Sequence, residues 1–210
     1  MYKLDHFIWA CSDINDGIVQ LADITGVTPV KGGKHPGVGT QNALLALGTG
    51  LYLEIIAPDY DQNLEENSGA ALSQVRRGGM LSFCIAAPNL TDLAARVKAA
   101  NLTTTGAADF ARETPEGAVM RWQLLFMAGQ HDALQVPFFI DWMACAHPSL
   151  SAPQAGTLQS FQFCHPDAAA LNALYSDLGL DVAAQHADRA HLTLNLKTPK
   201  GDVHLPAAVF

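Results

Sequence analysis

A chain of 210 residues, 49% of them apolar, is long enough to bury a substantial core. Its formal net charge is −8, and only 12 Lys and Arg stand against 20 Asp and Glu with no basic stripe, which excludes a partner held through nucleic-acid phosphates. The longest apolar runs, such as Ala43 to Leu47, are too short to cross a bilayer, and the first residues lack the basic and apolar regions of a signal peptide, so a cytoplasmic protein without a membrane partner is expected.

In chain order, the first strand-like segment runs from Leu4 to Cys11. Ser12 or Asp13 can then cap a helix whose buried stripe is Ile14, Ile18, Leu21 and Ala22, ending at Gly26. Two more strands follow, Gln41 to Leu47 and Leu51 to Ile56, separated by the turn Gly48-Thr-Gly. The stretch from Lys31 to Thr40, rich in glycine and cations, lacks the Gly-Lys-Ser/Thr ending of a phosphate-binding loop. It reads as a connection into the next strand, with a lid over a pocket as the alternative.

The pattern repeats. Met80 to Ala87 is a strand, Leu90, Leu93, Ala94 and Val97 form a helical stripe that ends at Asn101, and Val119 to Phe126 and Phe138 to Trp142 are strands. His147 and Pro148 then form a closing loop, with His147 reaching the site as the alternative. A third copy begins with Leu158 to His165, continues through Leu171, Leu174 and Leu178 to Gly179, and closes with His191 to Leu196 and Val203 to Leu205 around Pro199-Lys-Gly-Asp. The helix ends coincide, each placing a residue tolerant of positive φ before an apolar one, so His6, Ser82 and Ser160 occupy equivalent strand positions. The unit is βαβββ and the fold class α+β: tandem modules forming a curled mixed sheet, an incomplete barrel with helices on its outer face. Residues 1–148 hold two paired modules (1–60 and 78–148), and 156–210 hold a third. The four cysteines, Cys11, Cys84, Cys145 and Cys164, contain no C-x-x-C pair and read as small buried hydrophobes.

Alternate strand residues face opposite ways, so parity sorts them. Phe7 and Trp9, Leu81, Phe83 and Ile85, and Phe161 and Phe163 are assigned to the helix side. The opposite parity carries His6, then Ser82 and Cys84, then Ser160 and Gln162. To that face we add Asn42 and Leu44, Tyr52, Glu54 and Ile56, Arg121 and Gln123, and Phe139 and Asp141. Apolar walls with a few polar groups make a small-molecule pocket. Glu54, inside the apolar run Leu51 to Ala57, requires a cation or a hydrogen-bonding network. Asp141 raises the same question in Phe138 to Trp142. Arg121 either pairs with it or offers its planar fork to a substrate carboxylate or enolate.

The segments LDHFIWA (4–10), KHPGVGTQNALLALG (34–48), YLEIIAPD (52–59) and PFFIDWM (137–143) resemble the glyoxalase-like families of the vicinal oxygen chelate superfamily, and the resemblance covers essentially the whole chain. It implies that two βαβββ modules curl around a divalent metal (Mn, Fe, Zn or Mg). His6 and Glu54 match the ligand positions of the first module, and Ser82 and Asp141 those of the second. Ser82 departs from the His, Gln or Glu usual there, which leaves His6, Glu54 and Asp141 as the implied ligands. Two functions follow. One is metal-assisted lyase, isomerase or dioxygenase chemistry on a small oxygenated substrate, with His6, Glu54 and Arg121 catalytic and Asn42, Tyr52, Ser82, Gln123 and Phe139 lining the substrate. The other is a metal-free protein that sequesters a small ligand in the same cup. The third copy leaves a sheet edge, which is expected either to close against the first pair or to pair with its twin in a homodimer.

Overall fold

The computed structural model describes residues 1–113, 119–128 and 137–210. Module one consists of β1 (Lys3–Ala10), α1 (Ile14–Thr25), β2 (Val30–His35), β3 (Thr40–Ala46) and β4 (Tyr52–Pro58). A short helix, α2 (Ser68–Leu72), leads to module two: β5 (Gly79–Ala86), α3 (Leu90–Ala99), β6 (Thr103–Glu113), β7 (Val119–Ala128) and β8 (Phe138–Asp141). After a turn of 3-10 helix at Pro148–Leu150 come β9 (Thr157–His165), α4 (Ala168–Leu178), β10 (Ala184–His186), β11 (His191–Thr198) and β12 (Gly201–Leu205).

Local chemistry sets the helix ends. Asp13 caps α1 by accepting from the backbone N–H groups of Asn15 and Asp16, and Gly26 ends it in the left-handed region at φ 80°. Asn101 (φ 59°) and Gly179 (φ 70°) follow α3 and α4 in the same conformation. The stretch from Lys31 to Thr40 forms most of a hairpin: β2 extends to His35 and pairs with β3 across a turn at residues 36–39.

Strands β1 to β8 form one curled sheet in the order β2-β3-β4-β1-β5-β8-β7-β6. In each of these two modules the first strand runs parallel to the last, and the modules meet where β1 lies antiparallel to β5. The edge strands β2 and β6 curl toward each other, with Arg112 of β6 reaching the backbone of Gly32 on β2. Phe7, Trp9, Leu53, Ile55, Phe83 and Ile85 cover the convex face and pack with the buried residues of α1 and α3.

The third unit keeps the order of elements but pairs them differently. Its sheet runs β10-β9-β11-β12, with β9 parallel to β10 and antiparallel to β11. It therefore makes no cup of its own. Its apolar face, with Phe161, Phe163, Leu192 and Leu194, packs on the convex side of the large sheet, where Phe83 lies within 5.1–6.4 Å, centroid to centroid, of the rings of Phe7, Phe161, Phe163 and Tyr175. The tail 206–210 turns back along β5, where the Met80 N–H donates to the Pro206 carbonyl (2.8 Å) and the Ala208 N–H to the Met80 carbonyl (2.9 Å). Phe83→Ala is expected to cost about 3–5 kcal/mol because it empties this fully buried junction. A shift in the urea midpoint at unchanged slope checks it. Among the described residues no helix is long and apolar enough to cross a membrane.

Candidate functional site

The concave face of the large sheet forms a pocket of about 920 Å³, counted with its open mouth. One wall is aromatic and aliphatic: Trp122, Leu124, Phe126, Phe138 and Ile140 from module two. The polar groups come mainly from module one, where parallel pairing sets His6 opposite Tyr52 and Ile8 opposite Glu54. A bulge at Asp5 displaces that residue from the ladder between Leu4 and His6, so its carboxylate and the His6 imidazole meet.

These groups form a connected chain. Asp5, wholly buried, bonds His6 Nδ1 through Oδ1 (2.7 Å), while its Oδ2 accepts from Trp142 Nε1 (3.0 Å) and lies 3.2 Å from His147 Nε2. Burial alone would raise the Asp5 pKa, but the hydrogen bonds to His147 and His6 outweigh it and hold the carboxyl well below the usual carboxylate range. An ionised Asp5 fixes the imidazole proton on Nδ1, as in other carboxylate–histidine pairs. His6 Nε2 is thereby turned toward Glu54, with Oε2 at 3.5 Å. Asn42 Nδ2 donates to Glu54 Oε1 (2.6 Å), which orients the carboxylate, and the His6 ring stacks on Tyr52 with centroids 4.6 Å apart.

A second polar group surrounds this pair. His35 bonds Thr40 through Nδ1 (2.8 Å), and its Nε2 lies 3.4 Å from Asn42 Nδ2. Burial lowers the His35 pKa, with Glu54 opposing and Arg112 reinforcing the effect, so this ring stays neutral. Burial raises the Tyr52 pKa well above normal, and the charges of Glu54 and Asp5 add to it, so its hydroxyl keeps its proton. Arg112, 8% exposed, enters the pocket from β6.

His6, Asn42, Tyr52, Glu54 and Ser82 thus line one pocket, as parity indicates, whereas Leu81, assigned to the helix side, also lines it because the register between β1 and β5 shifts between Ile8 and Trp9. Four residues assigned from module two lie elsewhere. Arg121 is exposed, and Gln123 donates to Asp109 (2.9 Å) on the outer surface. Phe139 is buried in the convex core, and Asp141 accepts from the backbone N–H groups of Met143 (2.8 Å) and Asn89 (3.3 Å). The parity of β7 and β8 is therefore the reverse of that expected: Trp122, Leu124, Phe138 and Ile140 face inward. Strand β8 is apolar on both sides, so alternation carries no signal there, and the parity carried over from the first module misdirects the assignment. On β7 the outer face is buried at Leu125 and Met127 and reaches solvent at Arg121 and Gln123. Sequence reasoning misses Asp5, His35 and Arg112. Adjacency to His6 is the one signal for Asp5, and β6 shows no recognisable strand alternation.

The metal shell implied by the resemblance does not fit these donors. Asp141 faces away and Ile140 occupies the inward position on β8, leaving His6 and Glu54 opposite a serine hydroxyl, a poor ligand. Among the described residues one other possible ligand group occurs: Asp5, His6 and Cys84 place ligand atoms within 4.8 Å of one another, all buried. Both Asp5 oxygens and His6 Nδ1 are already engaged there, and burial pushes the Cys84 thiol pKa well above normal, which opposes a thiolate ligand.

Paired βαβββ modules curled around an inward-facing His–Glu pair define the class as glyoxalase-like. A family model described as a glyoxalase-like domain matches residues 4–179, and the chain belongs to that family, within the vicinal oxygen chelate superfamily. Solved structures share the fold. A hypothetical protein from Staphylococcus aureus superposes with a TM-score of 0.65 at 16% identity, covering 97% of this chain and 84% of its own. Methylmalonyl-CoA epimerase from Mycobacterium tuberculosis gives 0.50 at 20% identity over 66% of this chain and 87% of its own, and a hypothetical protein from Bacillus halodurans gives 0.52 at 20% over 69% and 97%. No curated protein matches the chain.

Proposed function

We propose that the protein is an enzyme that transfers a proton at a carbon beside a carbonyl group of a small, largely apolar substrate, with Glu54 and His6 as the acid–base pair. The observation that carries this is the 3.5 Å approach of Glu54 Oε2 to His6 Nε2, with Nδ1 held by Asp5. Glu54 takes the proton, the electron pair of the C–H bond moves to the carbonyl oxygen, and an enolate forms. His6 Nε2 accepts the proton from Glu54 and returns it to another face or atom, while Asp5 steadies the imidazolium. The protonated Tyr52 hydroxyl and the low polarity of the module-two wall favour an oxyanion held by hydrogen bonds. Isomerisation and lyase chemistry both begin with this step.

The test is hydrogen exchange in D2O, followed by proton NMR, with 2-oxo acids, 3-oxo acids and 2-hydroxy ketones that carry apolar groups. Exchange above the buffer rate, unchanged by chelator, is expected. Exchange that requires added Mn, Fe, Zn or Mg would restore the metal-assisted form of this chemistry, with His6 and Glu54 as ligands. Tight binding with no exchange would overturn the enzyme in favour of the sequestering protein, which the apolar lining favours. Four free thiols, Cys11, Cys84, Cys145 and Cys164, support a reducing cytoplasmic setting. Strand β12, at the end of its sheet, is a surface for the expected homodimer, and solution mass reads that directly.

A further inference from the structure

Among the described residues that line the pocket, Arg112 is the one Lys or Arg. Its side chain is 8% exposed, its Nη1 has no hydrogen-bond partner, and its Nη2 reaches only the sulfur of Met120 at 3.7 Å. Among the described residues no carboxylate lies within ion-pair distance of it. Glu54, the acidic group that shares the pocket, spends Oε1 on Asn42 and turns Oε2 to His6. A guanidinium buried without a counter-charge is costly, and among the described residues this one has none.

The surroundings are shaped for that cation. Arg112 stands on one edge strand and lies over the other at Gly32, where a Cβ would sit 2.6 Å from Arg112 Nη1 and 2.3 Å from Asn42 Oδ1. No left-handed backbone angle demands glycine there, so the absent side chain is what makes room for the two polar groups. Asn42 Oδ1 is itself buried without a partner. Asn42 Nδ2 donates to Glu54 Oε1 (2.6 Å), so this amide lies between the cation and the acid–base pair. On the same strand Phe110 lines the pocket, paired across the ladder with Trp122.

We infer that Arg112 binds the carboxylate of a monoanionic substrate whose apolar or aromatic body lies against Trp122, Phe126 and Phe138. A planar fork with a free nitrogen matches the two oxygens of a carboxylate. A single cation beside Glu54 suits one negative charge, whereas a phosphate dianion or a nucleotide would need more donors than the lining supplies. The substrate class rests on the proton-transfer pocket described above and deepens it.

The experiment is calorimetric titration of the whole chain with 3-phenylpropionate and with its uncharged isostere 3-phenylpropanamide. The acid should bind and the amide should bind about 10- to 100-fold more weakly, the range of a charge-assisted hydrogen bond. Arg112→Gln should erase the preference for the acid, Arg112→Lys should restore part of it, and Gly32→Ala should weaken acid binding by displacing the guanidinium. Glu54→Gln should keep or improve acid binding, since it removes a neighbouring negative charge, and it separates failure of the chemistry from failure of recognition. Equal affinity of acid and amide for the wild type, a comparison that needs no variant, would overturn the inference, as would an acid preference that survives in folded Arg112→Gln.

Discussion

Asp5→Ala is expected to destabilise the fold by about 3–5 kcal/mol, the range found when one member of a buried charged group is removed and its partners remain. Asp5 is wholly buried and serves His6, His147 and Trp142 at once. Its loss leaves ring nitrogens of His6, His147 and Trp142 without their acceptor, and His6 is itself buried. Asp5→Asn, which keeps the shape but replaces one acceptor oxygen by a donor, should cost about 1–3 kcal/mol, the penalty for unsatisfied buried groups. Acid dependence separates the charge from the packing. The Asp5 carboxyl has a folded pKa below its unfolded value, so its contribution to stability is fully present above the ordinary carboxylate range and is lost as pH falls toward the folded value. Chemical unfolding from pH 7 down to the acid limit should therefore show a steeper loss in the wild type than in Asp5→Asn. Parallel curves would mean that Asp5 holds no special charge.

Glu54→Gln is expected to slow substrate proton exchange by about 100- to 10,000-fold, the usual contribution of a positioned base. The substitution is well suited to isolating chemistry from structure. A glutamine oxygen can still accept from Asn42 Nδ2, and the amide nitrogen can donate across the 3.5 Å gap to His6 Nε2, so the local network survives without a base. The melting temperature should change little while the exchange rate collapses. An exchange rate equal to that of the wild type would assign the base elsewhere, and His6 is then the first group to replace.

Much of module one was legible because Glu54 stands as a single charged residue in an apolar run, which marks one parity, and because the helix carries both caps. His6 and Glu54 fall on the concave face by parity alone, and Asn42 and Tyr52 follow from neighbouring strands. Legibility fails where the physical signal is absent. Strand β2, apart from Val30, is built from Lys, Gly and His and looks like a loop. On β8 both faces are apolar, so Phe138 and Phe139 are indistinguishable by pattern, and the assignment of Asp141 inward rested on the parity carried over from the first module and on the resemblance. The bulge at Asp5 exists only in the register between β1 and β5, which no single strand's sequence encodes. Arg112 shows the same limit from another side. The chemistry assigned to Arg121 is supplied by an arginine on the adjoining strand, because the curl that brings β6 over β2 is a property of the closed sheet. The third copy repeats the order of elements faithfully, yet its pairing differs, so repetition in sequence did not imply repetition in topology.

The small sheet behind β1 and β5 has a mechanical consequence for that seam. Phe161, Phe163 and Leu194 cover the back of the two strands that present His6 and Ser82 on the front, and the tail at Pro206 and Ala208 stitches down Met80. A chain cut before Thr157 would leave Phe7 and Phe83 facing water across a broad greasy surface and would clump or splay rather than stand alone. The buttress at the rear thus governs how rigidly the reacting groups are held, while the open side stays free for traffic.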